Sequence, residues 1–180
     1  MSQPHRGIPG LRGGDHIGLT VPDIEAATRF FVEVIGCTPF YDLGPISSDG
    51  DWMSSHLDVD DGAVIKRLRF LRCGAGLNLE LFEYDAPDQR RSLPRNSDWG
   101  GHHIAIYVDD FDAALAYLKA KGVRVLGEPT HRTDGPSTGL TWVYFQAPWG
   151  LTLELVSYPH GKGYEATSPE RLWHPAFPAD

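Results

Sequence analysis

The feature that most restricts the fold is an internal repeat. His16-Ile-Gly-Leu-Thr-Val-Pro-Asp23 aligns without a gap with His103-Ile-Ala-Ile-Tyr-Val-Asp-Asp110. Each segment begins with His-Ile, alternates for the length of a short strand and ends at an aspartate. A helical pattern follows in both copies. Ile24, Ala27, Phe30, Phe31 and Val34 share one face and end near Gly36; Phe111, Ala114, Leu115 and Leu118 do so before Gly122. Asp23 and Asp110 stand where a carboxylate can accept from the free N–H groups of a first helical turn. The glycines suit the left-handed backbone that often ends a helix.

A second phrase recurs further on. Asn78-Leu-Glu80-Leu-Phe-Glu-Tyr84 parallels Thr152-Leu-Glu154-Leu-Val-Ser-Tyr158, each preceded by a strand, Ala63–Arg72 and Leu140–Gln146. Short strands are expected after each helix, near Thr38–Leu43 and Val123–Leu126. Each half therefore reads strand–helix–strand–strand–strand. The chain divides into an N-terminal extension (1–14), a first module (15–84), a polar linker (85–100), a second module (101–158) and a tail (159–180). His16 and Glu80 are 64 residues apart, whereas His103 and Glu154 are 51 apart. The surplus falls in 44–62, rich in Ser, Asp and Gly, which reads as an inserted surface loop. The ring-bearing tail, with His160, Tyr164, Trp173, His174 and Phe177, is expected to pack on a surface.

Side chains on a strand alternate faces. His16, Gly18 and Thr20 share one face, and Ile17, Leu19 and Val21 the other, which should lie under the helix. His103, Ala105 and Tyr107 repeat this against Ile104, Ile106 and Val108. Glu80 and Glu154 each stand between two leucines that point the opposite way. Two histidines and two glutamates thus recur at matching places on the faces turned from the core. A pseudo-twofold between the modules would bring them to one concave surface. Imidazole and carboxylate donors suit one divalent ion such as Ni²⁺, Zn²⁺, Mn²⁺, Co²⁺ or Fe²⁺. Water in the remaining positions would leave room for substrate oxygens. His102 lies on the opposite strand face and His56 in the insertion, and neither is assigned a ligand role.

Composition narrows the partners. With 41% hydrophobic and 22% charged residues, 180 residues suffice for a real core. The net charge of −8 and the lack of a basic cluster argue against nucleic acid or an anionic membrane surface. No apolar run approaches the roughly 20 residues of a membrane helix. The N-terminus shows no signal-peptide core, so the cytoplasm is the expected location. Cys37 and Cys73 lie in no zinc or CxxC spacing and are expected to be reduced thiols.

The phrases DHIGLTVPDIEAATRFFVEVIGC, LNLELFEY, GGHHIAIYVDDFDAALAYLKAKGV and APWGLTLELVSYP resemble the vicinal oxygen chelate superfamily. That group includes glyoxalase I, methylmalonyl-CoA epimerase, extradiol dioxygenases and bleomycin-resistance proteins. The resemblance implies an α+β fold in which two βαβββ modules form a cupped, partly open mixed-sheet barrel with helices outside. It places metal ligands at His16, Glu80, His103 and Glu154. It implies a glyoxalase-like lyase or isomerase that enolises a small carbonyl substrate, with Glu154 the preferred base and Glu80 the second. A two-His, one-Glu Fe²⁺ ring-cleaving dioxygenase is the alternative, disfavoured by Glu80, and a non-catalytic ligand-binding protein is a further one. Thr20 stands where glyoxalase I carries an arginine for glutathione, which points away from that substrate. Methylmalonyl-CoA epimerase usually has glutamine at the position of Glu80. A homodimer is expected, with the cup formed either within one chain or across a swapped pair.

Overall fold

The computed structural model describes residues 8–177. Residues 1–7 of the N-terminal extension and 178–180 of the tail lie outside them. Two four-stranded sheets are present, each with the topology the repeat predicts. The first orders its strands β1 (Ile17–Thr20), β4 (Leu77–Asp85), β3 (Val64–Cys73) and β2 (Thr38–Leu43). The second orders them β5 (Ile104–Tyr107), β8 (Thr152–Ser157), β7 (Thr141–Gln146) and β6 (Arg124–His131). In each, the first strand runs parallel to the last and the other pairs are antiparallel. The fold is α+β, the sheets do not close, and no described helix is long and apolar enough to cross a membrane.

The helices start where the aspartates allow. Asp23 Oδ1 accepts from the Ala26 N–H at 2.8 Å and opens α1 (Ile24–Phe30). Asp110 Oδ1 accepts from the Ala113 N–H at 3.0 Å and opens α3 (Phe111–Ala120). The first helix continues as one wide π turn, Phe31–Ile35, and stops at Gly36, whose φ of 88° costs a glycine little. Glu83 of β4 adds a second anchor, accepting from the Ile24 N–H at 3.0 Å.

Both modules bury their apolar faces in one shared core. Leu19, Val21, Ile24, Ala27, Phe31, Leu79 and Leu81 belong to the same cluster as Ile104, Leu115, Leu118, Val143, Leu153 and Leu155. Trp149 cements the contact, its ring 5.6 Å from Phe30 and 5.9 Å from Phe31. The Tyr117 hydroxyl donates to the Glu33 carbonyl across the modules at 3.1 Å.

Three expectations need correction. Ile17 is 40% exposed rather than covered, since it begins a four-residue strand at the sheet edge. Residues 44–62 are not a plain surface loop. They contain α2 (Trp52–Leu57), whose Met53 is fully buried with Ala63, Ile65 and Leu68 and flanked by Phe70, Phe82 and Tyr84. A segment rich in Ser, Asp and Gly conceals one methionine that decides its placement. The cysteines are not free thiols: Cys37, just past the π turn, and Cys73, at the end of β3, form a disulfide. Their separation of 36 residues offered no local signal.

Candidate active site

Strand alternation and the shared core together determine where the predicted residues go. Leu79 and Leu81 are wholly buried, so Glu80 between them projects from the opposite face of the first sheet. Leu153 and Leu155 do the same for Glu154 in the second. His16 and His103 sit one residue ahead of β1 and β5. His16 Nε2 lies 3.2 Å from Glu80 Oε2, and His103 Nε2 lies 3.1 Å from Glu154 Oε2. The register supplies a third member to each pair. Phe70 stands opposite Glu80 with its ring 5.4 Å from His16, and Tyr144 stands opposite Glu154 with its ring 5.1 Å from His103. Each half-site is thus a histidine, a glutamate and an aromatic wall.

The two half-sites are not brought together within one chain. Each lies on the sheet face turned from the core that both modules share. Among the described residues, no group of three or more His, Cys, Asp and Glu gathers where it could hold a metal ion. The expected single cluster is therefore present as two pairs.

The pairs differ in their electrostatics. Asp15 Oδ2 lies 2.8 Å from His16 Nδ1, and this hydrogen bond raises the histidine pKa; partial burial opposes it and Glu80 adds to it. A carboxylate on Nδ1 leaves Nε2 turned to Glu80, the orientation a ligating histidine needs. His102, the neighbour of His103, instead approaches the Gly100 carbonyl through Nδ1 at 2.9 Å. Burial pushes the Glu154 carboxyl up, while His103 and the Lys162 ammonium pull it down. Burial, with Glu154 nearby, also raises the Tyr144 phenol. Imidazole nitrogen and carboxylate oxygen already facing each other in both modules fit a divalent cation as half of its ligand set.

The open faces are walled by segments outside the repeat. The α2 segment packs on the face of Glu80, since Leu68 and Phe82 of its cluster share that face with Phe70 and Glu80. A groove of about 350 Å³ opens beside His16 between Asp15, Tyr41, Phe70 and Arg72. On the second sheet, His174 of the tail lies 4.5 Å from the Tyr107 ring and 4.8 Å from that of Tyr158. Asp15, Phe70, Tyr144, Lys162 and His174 were not singled out as site residues from sequence. The strand period alone could have found Phe70 and Tyr144, since each falls opposite a glutamate once the hairpins are in register.

A sequence model of the Glyoxalase/Bleomycin resistance protein/Dioxygenase superfamily matches residues 15–145, and the chain belongs to that superfamily. It is 55% identical over 171 residues to a 2-epi-5-epi-valiolone epimerase from Actinomyces sp, covering 94% of this chain and 92% of that protein. Human mitochondrial methylmalonyl-CoA epimerase is 28% identical over 116 residues, 63% of this chain and 56% of its own length. The fosfomycin resistance protein FosX from Listeria monocytogenes, solved with Mn(II) and sulfate ion, has a TM-score of 0.51 at 21% identity. That match covers 90% of this chain and 100% of the FosX chain, and at such identity it shows the fold alone. The similarity to an epimerase supports an isomerase-type enzyme.

Proposed function

We propose that the protein is an epimerase of a valiolone-type ketone, inverting a carbon next to the carbonyl. The carrying observation is the histidine–glutamate pair repeated in both modules, read beside 55% identity to an epimerase of a 2-epi-5-epi-valiolone. The suffix of that substrate's name denotes a ketone. A stereocentre beside a ketone inverts when its proton is removed from one face and returned on the other.

Glu154 is the base. Burial keeps its carboxyl above the ordinary range, which brings its basicity towards that of a proton shuttle. Oε2 faces His103, which leaves Oε1 to take the proton. The C–H electron pair moves into the carbon–carbon bond of an enolate, and the carbonyl oxygen takes the negative charge. Glu80, carrying a proton at the start, gives it to the opposite face of the same carbon; both carboxyls then regain their starting states by exchange with solvent, and the net reaction changes only configuration. Tyr144 and Phe70 wall the carboxylates from water, which strengthens the electrostatics between them.

His16, Glu80, His103 and Glu154 would hold a divalent cation, which when bound supplies Lewis-acid stabilisation of charge on the substrate oxygen. Because each chain turns its two half-sites away from one core, the complete set is proposed to join the first module of one chain to the second module of another in a homodimer.

The test is solvent proton exchange. In D₂O the enzyme is expected to place deuterium beside the carbonyl of the ketone, and Glu154→Gln to abolish this while retaining the fold. Full exchange by Glu154→Gln would remove Glu154 as base. Oxygen uptake with catechols and tolerance of Glu80→Gln would move the reading to an Fe²⁺ ring-cleaving dioxygenase. Metal-independent ligand binding without exchange would move it to a non-catalytic binding protein.

A further inference from the structure

The tail lies outside the repeat and outside the family match, yet it is anchored beside the second half-site. Its backbone is tied to the β6–β7 connection: the Gly163 N–H donates to Thr138 O at 3.0 Å and the Tyr164 N–H to Pro136 O at 2.9 Å. The turn Gly163–Ala166 is held by the Lys162 N–H donating to Glu165 Oε1 at 2.8 Å. Further on, the Leu172 N–H donates to the Tyr164 hydroxyl at 2.8 Å, and Arg171 Nε approaches Glu165 Oε2 at 3.7 Å. Trp173 packs on Gly76 of the first module, so closely that a Cβ there would meet its ring at 2.8 Å.

This folding back forms a partly open cavity of about 280 Å³, lined by Tyr158, Lys162, Tyr164, Glu165, Arg171 and His174 among others. Strand alternation continues from Glu154 through Val156 to Tyr158, so the cavity wall stands on the face that carries the carboxylate. Lys162 Nζ lies 3.9 Å over the Tyr158 ring, at that wall of the cavity. The lining combines two cationic donors, two phenols, two imidazoles and one carboxylate, an alternation of donors and acceptors, with the apolar Pro159, Leu172 and Phe177. Glu165 would oppose an anion, and a wholly apolar group would leave the remaining donors of Lys162 and Arg171 unused. Several hydroxyl groups, each donor and acceptor at once, match that alternation.

We infer that the tail is the substrate-recognition element of the second half-site, with Lys162, Glu165 and Arg171 binding the hydroxyl groups of a hydroxylated ketone whose carbonyl end lies at His103 and Glu154. This rests on the epimerase reading. Substrate choice then lies in a segment that the repeat does not encode.

The experiment measures binding of a cyclic polyol, the non-reacting relative of such a ketone, by calorimetry to the full chain, Lys162→Met, Arg171→Met and Lys162→Arg. Both methionine variants keep the backbone N–H groups that pin the tail, and their melting temperatures are measured alongside. The expected result is at least about fivefold weaker binding for each methionine variant, partial recovery in Lys162→Arg, and KM for ketone exchange rising more than kcat falls. Unchanged polyol affinity and KM in both variants would overturn the inference, as would no polyol binding to the unmodified chain. Deuterium exchange by the unmodified chain and its loss in Glu154→Gln judge the epimerase reading separately.

Discussion

Mixing two inactive variants tests whether the site joins two chains. His16→Ala disables the first module and His103→Ala the second. If each site joins the first module of one chain to the second of its partner, a mixed dimer holds one site with both lesions and one with neither. Random reassortment puts about half of the dimers in the mixed state. Each has one intact site of two, so deuterium exchange should recover to about one quarter of the unmodified enzyme's rate. The basis is the placement of both pairs on faces turned from the shared core. The variants are unfolded and refolded together, under conditions that restore the unmodified protein, and exchange is read by NMR. A rate no greater than the sum of the separately refolded variants would refute the two-chain site, because a site within one chain is never repaired by mixing.

Met53→Ala should cost about 2–5 kcal/mol, because a fully buried side chain leaves a cavity against Leu68 and Ile65; chemical denaturation checks this, and a loss below about 1 kcal/mol would show that α2 does not depend on it. Reducing the Cys37–Cys73 bond, which closes a 36-residue separation, should lower stability by roughly 3–4 kcal/mol on chain entropy, read as a drop in melting temperature with a thiol reductant. Arg69 joins β3 to Asp42 of β2 through Nε–Oδ1 and Nη2–Oδ2 contacts of 2.6 Å each, and donates from Nη1 to Thr28 of α1 at 2.9 Å. Its hydrogen bonds hold the Glu25 and Asp42 carboxyls below their ordinary range. Depressed carboxyl pKa values stabilise the fold above the unfolded range, and that contribution is lost as pH falls, below about pH 4. Arg69→Met should therefore cost about 1–2 kcal/mol at neutral pH and progressively less in acid, as denaturation curves across pH would record.

Much of each half-site was legible before any coordinates. Alternation around Leu79–Leu81 and Leu153–Leu155 determines which way a glutamate points, and each His-Ile at a strand start supplies its partner. Asp23 and Asp110 announced both helices because capping is a contact between residues three apart. These are local relations, settled by backbone period and by neighbours a few bonds away. Three things lay beyond that reach: the disulfide, the seat of Met53, and which surface the tail, expected to pack, would choose, namely Tyr107 and Tyr158. Each depends on which distant surfaces meet. The same holds for the arrangement of the two modules. Repetition showed that there are two histidine–glutamate pairs, but only packing decided that a single chain keeps them apart. The apolar faces of both sheets, with their helices, join in one buried cluster because leaving either face in water is unfavourable, and that shared core turns the polar faces outward.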